Sequence, residues 1–155
     1  MTINNILYKT KIALHLSDDE ILMAYKLVNH EMSNAHLLSL LKKTDEKDFL
    51  VCSHEELGLF LDGLIALKRG PSPKKDDINI ELTNNLILKK LRIALELKDP
   101  EVEIIFGLAE IQLSKQELKS LFRKEEHKNF RVCSDELLMK FIEGLDEFYY
   151  VGEDE

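Results

Sequence analysis

The sequence predicts an all-α protein made of two tandem four-helix repeats, related by a pseudo-twofold and packed as one compact body. Three observations carry this. Phe49-Leu50-Val51-Cys52-Ser53 recurs as Phe130-Arg131-Val132-Cys133-Ser134, and Asn4 to Leu64 lies on Asn85 to Leu145 without a gap, with 26 of the 61 pairs identical. Each copy holds four segments of helical 3-4 apolar periodicity, opened by helix-capping residues. A repeat of this length present only twice does not make a solenoid. A unit of about 60 residues is marginal alone, so the two copies are expected to pack on each other as subunits of an isologous dimer do.

In order, the first helix covers about Asn4 to Leu16, with Ile6, Leu7, Thr10, Ala13 and Leu14 on one face. Ser17 with Glu20 fits a capping box for the second helix, which runs to about Val28. Asp18 is the rival cap, since its counterpart Asp99 precedes Pro100, a residue favoured at the first helical position. Ser33 and Ser114 open the third helix, with Met32–Leu37 and Leu113–Leu118 as hydrophobic staples and Glu117 completing a box in copy two. Lys42-Lys43 and Arg123-Lys124 suit the negative end of its dipole.

Ser53 with Glu56, and Ser134, cap the fourth helix, while Cys52 and Cys133 take the staple positions against Leu57 and Leu138. Phe49 and Phe130 are expected to anchor the preceding loop in the core. Gly63 and Gly144 stand at matched places inside the fourth helix. Glycine costs about 1 kcal/mol there relative to alanine, so its repetition predicts close helix–helix approach. Gly70 caps the end, with Pro71 and Pro73 beyond it. The organisation read from this is residues 1–70 as repeat one, 71–83 as linker, 84–151 as repeat two and 152–155 as an acidic tail. Within the linker region Ile78, Ile80 and Leu82 alternate with polar residues, with no partner strand in view.

Phe60-Leu61-x-Gly63-Leu64-Ile65, Lys68-Arg69-Gly70, Asn84-Asn85, Leu88-Lys89-Lys90-Leu91-Arg92-Ile93-Ala94 and His127-Lys128-Asn129-Phe130-Arg131-x-Cys133 together resemble the YehS-like family, bacterial proteins with a twice-repeated domain of unknown function. The resemblance spans nearly the whole chain. It implies an all-helical bacterial protein and brings no catalytic or ligand residue with it. The acidic, tyrosine-bearing C-terminus is not part of that pattern.

The 155 residues carry a formal net charge of −8. Much of the excess is local, in Asp146, Glu147, Glu153, Asp154 and Glu155, so a basic patch elsewhere is compatible with it. No run approaches the roughly 20 apolar residues of a membrane span. No secretory signal opens the chain, and two cysteines are too few for a disulfide framework. A cytoplasmic protein is expected, with no membrane partner.

Chemistry is thin. A thiol just before a helix N-terminus with a histidine six residues away, Cys133 and His127, is the material of a nucleophile. Copy one has Glu46 in place of that histidine, and two small buried thiols stapling helices explain both cysteines. His15, His30, His36, His54 and His127 are scattered without metal-ligand spacing. No metal, no cofactor and no catalytic constellation are expected, and the chain is read as a non-enzymatic module that binds a protein. Nucleic-acid binding is the alternative, because the second and third helices resemble a helix-turn-helix. Its base-contacting positions would be Asn34, Ala35, His36 and Ser39 in one copy and Lys115, Gln116, Lys119 and Ser120 in the other. The candidate interaction surface is Lys9, Lys11, Lys42, Lys43, Lys89, Lys90, Arg92, Lys115, Gln116, Lys119, Arg123, Lys124, His127 and Lys128.

Overall fold

The computed structural model describes residues 1–70 and 81–150. These form eight helices and no strand: α1 (Ile3–Ala13), α2 (Asp18–Leu27), α3 (Asn34–Leu40), α4 (His54–Arg69), α5 (Asn84–Leu95), α6 (Asp99–Leu108), α7 (Lys115–Leu121) and α8 (Asp135–Phe148). The expected linker residues from 71 to 80, including Ile78 and Ile80, and the tail 152–155 lie outside the described residues. Leu82 is partly buried, 3.9 Å from the position a Cβ on Gly58 would take.

The caps form as the sequence implies, and where they differ the reason is chemical. Ser17, Ser53 and Ser114 make reciprocal boxes with Glu20, Glu56 and Glu117, while Ser33 and Ser134 cap from the hydroxyl alone. Ser17, not Asp18, is the cap of α2. Its counterpart Lys98 has no acceptor, so only half the device survives there, Glu101 accepting from the Lys98 N–H at 2.9 Å. Pro100 is therefore the second helical residue rather than the first. Helix α1 stops at Ala13 rather than Leu16, because His15 turns into left-handed backbone (φ 55°), as Glu96 does after α5 (φ 53°). Helices α3 and α7 end before the basic pairs, which sit in the following turn.

Tertiary packing exchanges the first helices. Helix α1 packs chiefly on α8, the fourth helix of the other repeat, and α5 packs chiefly on α4. Each touches the fourth helix of its own repeat far less. The centre of the molecule is thus α1, α4, α5 and α8, with Ile6, Leu7, Leu61, Leu64, Leu88, Leu91, Ile142 and Leu145 buried there. Asp62 of α4 pairs with Lys90 of α5, and the His15 Nε2 lies 2.9 Å from the Tyr149 carbonyl oxygen. This is the pattern of an isologous dimer joined into one chain.

Helix α2 lies outside α4, and α6 outside α8, each seated by a glycine. Gly63 is buried against the backbone of Ala24, and Gly144 against that of Ile105. Ala24 and Ile105 are themselves matched positions, so the close approach predicted from the repeated glycine occurs twice. Phe49 and Phe130 are only half-buried and do not anchor the loop. Another residue does.

Candidate functional site

That anchor is an asparagine near the start of α1 and α5. Asn4 donates through Nδ2 to the carbonyls of Leu40 (3.0 Å) and Leu50 (2.9 Å), and its Oδ1 accepts from the Cys52 N–H (2.9 Å). Asn85 does the same to Leu121 (3.0 Å), Arg131 (2.8 Å) and Cys133 (2.8 Å). One amide thereby closes the last carbonyl of α3 or α7 and two backbone groups of the loop that follows it, none of which an intrahelical bond satisfies. The Asn repeated at the matched place on the buried, mainly apolar stripe of the first helix is the signal that could have found it.

The clamp explains the repeated cysteine motif. It holds the chain so that Cys52 and Cys133 point inward, both 2 % exposed and both free thiols. Each thiol lies against the carbonyl of the following serine, at 3.6 and 3.5 Å. Burial pushes Cys52 up to about 12, and likewise Cys133 up to about 11. His127 is not the base of Cys133, since its nitrogens face the Asn129 N–H and the Arg123 guanidinium. Since the thiolate is the reactive form, alkylation of the native protein at neutral pH is expected to be at least tenfold slower than that of a free thiol, with both cysteines reacting at the full rate in denaturant. Timed mass spectrometry checks this, and a fast Cys133 in the native state would contradict it.

The candidate basic residues do not act as one set. Lys11 pairs with Asp18 (3.5 Å), and its counterpart Arg92 with Asp99 (2.5 Å) and the Leu97 carbonyl. Arg92 also lies over the Phe122 ring, 4.6 Å from its centroid. Lys90 is taken by Asp62 between the repeats, and Lys42 by the Lys47 carbonyl and Asp48. Exposed are Lys9, Lys43, Lys89, Lys115, Gln116, Lys119, Lys124, His127 and Lys128. Lys89, Arg92, Arg123, Lys124 and His127 border adjoining hollows that share Phe122.

Two other features are built from more distant parts of the sequence. The first is an open groove of about 1210 Å³ in repeat one, between α2, the α2–α3 turn and the starts of α3 and α4. Leu22, Met23 and Met32 give it an apolar side, and Asp19, Lys26, Glu31, His30 and His36 a polar rim. His36 Nε2 lies 2.7 Å from Glu56 Oε2, and the buried Tyr25 donates its hydroxyl to the Glu56 carbonyl at 2.9 Å. Burial works to raise Glu56, yet the Ser53 N–H and His36 hold its carboxyl below the usual value. At the matching places repeat two has Phe106, Ile111, Glu117 and Leu137, so this polar cluster belongs to repeat one alone.

The second feature is symmetric. Met23 and Leu27 of α2 are 40–45 % exposed, and their counterparts Ile104 and Leu108 of α6 are 44–53 % exposed. Each pair is spaced one turn apart and so shares a helix face, pointing away from the α4 or α8 partner. Val51 and Val132, also matched, are 76 % and 72 % exposed. No group of three His, Cys, Asp or Glu able to hold a metal occurs among the described residues. No helix among them is long and apolar enough to cross a membrane.

The chain is 34 % identical over 147 residues to a protein described as "Uncharacterized protein YehS" from Escherichia coli (strain K12), covering 94 % of each chain. No solved structure matches it. The family "Protein of unknown function (DUF1456)" matches twice, over residues 4–70 and 84–149, one match for each set of four helices. With both repeats matched and an Escherichia coli relative aligned nearly end to end, the chain belongs to the DUF1456 family.

Proposed function

We propose that the chain is a non-enzymatic protein-binding module that engages partners through the outer faces of α2 and α6. The observation that carries this reading is the matched exposure of Met23 and Leu27 with Ile104 and Leu108. Scattered surface leucines need no explanation, but apolar pairs repeated at equivalent solvent-facing positions across a duplication do. In repeat one the pair borders a groove with methionines, a flexible side chain suited to repacking around an inserted segment. The two faces differ in rim chemistry, with His30, His36 and Glu56 on one and Ile111, Glu117 and Leu137 at those places on the other. They therefore suit two different surfaces, or the two unlike ends of one.

Nucleic-acid binding has weaker support. Helices α3 and α7 are seven residues long, His36 is tied to Glu56, and Lys11, Lys90 and Arg92 are consumed by internal pairs. Affinity capture from the native cell, using the wild type beside Met23→Asp/Leu27→Asp and Ile104→Asp/Leu108→Asp, tests the reading. A partner kept by the wild type and lost, at least tenfold in yield, by one double variant supports it. A partner retained by both double variants, or salt-dependent binding of duplex DNA at about 50 mM salt that survives both, overturns it.

A further inference from the structure

The turn after α7 holds more hydrogen-bond donors than acceptors, and its count of protons is informative. The His127 Nδ1 accepts from the Asn129 backbone N–H at 3.0 Å. A ring nitrogen that accepts carries no proton, so the proton of the neutral ring sits on Nε2. That nitrogen lies 3.2 Å from the Arg123 Nη1, which is a donor and never an acceptor. Two N–H groups thus face each other with no acceptor between them. Protonating the ring leaves Nε2 a donor and adds a second positive charge.

Arg123 has a further unmet donor, since its Nε is buried without a partner. The carbonyls nearby are engaged: Leu121 accepts from Asn85, Lys124 from the His127 N–H and Ser120 from the Arg131 N–H. Lys124 and Lys128 add exposed cations. Phe122, Arg123, Lys124, Glu126 and His127 border an open, shallow hollow of about 530 Å³. Glu126 is the acidic side chain on its rim and the competitor for any anion entering it.

Repeat one shows the same turn without the surplus. Glu46 stands where His127 does, and its Oε1 accepts from the Lys43 N–H at 2.8 Å. Lys42, the counterpart of Arg123, reaches the Lys47 carbonyl at 3.0 Å and Asp48 at 3.9 Å. Acceptors close that turn internally, while in repeat two the same positions carry His127 and Asn129.

We propose that the Arg123–His127 hollow is a binding site for a phosphate oxyanion, free or carried on a small phosphomonoester. A phosphate group offers three or more oxygens, enough to receive the Arg123 Nη1, the His127 Nε2–H and a lysine together, through charge-assisted bonds. A carboxylate has two. The site shares no residue with the outer faces of α2 and α6 and does not depend on the protein-binding reading.

The test is a titration of the full chain followed by ¹H–¹⁵N spectra of the His127 ring and the Arg123 side chain, at about 0.15 M chloride to screen exposed charges. The probes are inorganic phosphate and phenyl phosphate. Saturable shifts at both residues, with an apparent Kd of about 1 mM or tighter, are expected. His127→Glu, which installs the residue of repeat one, and Arg123→Gln should each weaken binding at least tenfold without changing Tm by more than a few degrees. Tighter binding of phenyl phosphate assigns the site to a phosphomonoester, and equal binding to free phosphate. No saturable shift at about 10 mM of either probe, or unchanged affinity in both variants, overturns the proposal.

Discussion

Gly63→Ala and Gly144→Ala are each expected to destabilise the fold by about 3 kcal/mol, the upper end of overpacking costs. Helix propensity alone argues the other way, since alanine is favoured by about 1 kcal/mol in a helix interior. Packing decides the sign. A Cβ on Gly63 would lie 2.5 Å from the Ala24 carbonyl carbon, and one on Gly144 would lie 2.8 Å from that of Ile105 and 2.9 Å from its Cγ2. The obstacle is mainly backbone, in mid-helix, so no side-chain rotation relieves it and α2 or α6 must move off its partner. For a chain of this size the loss is read as a fall in Tm of roughly 6–12 °C. A rise in Tm would mean that the outer helices are not seated where the structure puts them.

The second large effect is at the asparagine clamp. Asn4→Ala and Asn85→Ala each strand two carbonyls and one N–H that have no other fixed partner. Leaving a buried polar group unpaired costs about 1–3 kcal/mol. A loss of about 2–4 kcal/mol is therefore expected, larger at the buried Asn4 than at the partly exposed Asn85. Asn4→Asp is the diagnostic variant. It keeps the acceptor for the Cys52 N–H but sets a carboxylate against the Leu40 and Leu50 carbonyls, so urea denaturation should show it no more stable than Asn4→Ala. An aspartate variant as stable as the wild type would remove the clamp from the account.

Much of the fold was legible because its determinants are local. Serine caps with glutamate three residues on, the 3-4 apolar spacing, the Gly70 stop and the gapless duplication all act within one helix or between identical copies. What stayed hidden depends on residues far apart in the chain. That α1 packs on the other repeat's α8 follows from which surfaces fit, and periodicity does not encode it. Bulk points to Phe49 and Phe130 as the loop's anchor, whereas the three orphan backbone groups need an amide 36 to 48 residues away.

The candidate surface was legible only as a list of charges. Sequence cannot say that Lys90 is spent on Asp62 or Arg92 on Asp99, since each pairing depends on tertiary placement. The groove of repeat one draws His30, His36 and Glu56 from three separate segments, so no spacing motif announces it. Met23 and Leu27 read as ordinary apolar residues of an amphipathic helix until the buried face of α2 is seen to be Ile21, Ala24 and Tyr25. Comparison of the copies would have helped, because an apolar pair kept at matched positions off the buried stripe has no local cause.

Exchanged first helices join the two repeats, so the chain is expected to unfold as one cooperative body. Native-state hydrogen exchange of Gly63→Ala tests it most directly. The substitution lies in repeat one, yet α4 carries α5 and α8 carries α1, so a single cooperative unit spreads the loss. The amides of α8 are expected to lose the same protection free energy, about 3 kcal/mol, as those of α4. Protection lost in α2 and α4 while α6 and α8 keep wild-type rates would show two independent units, and would contradict the account.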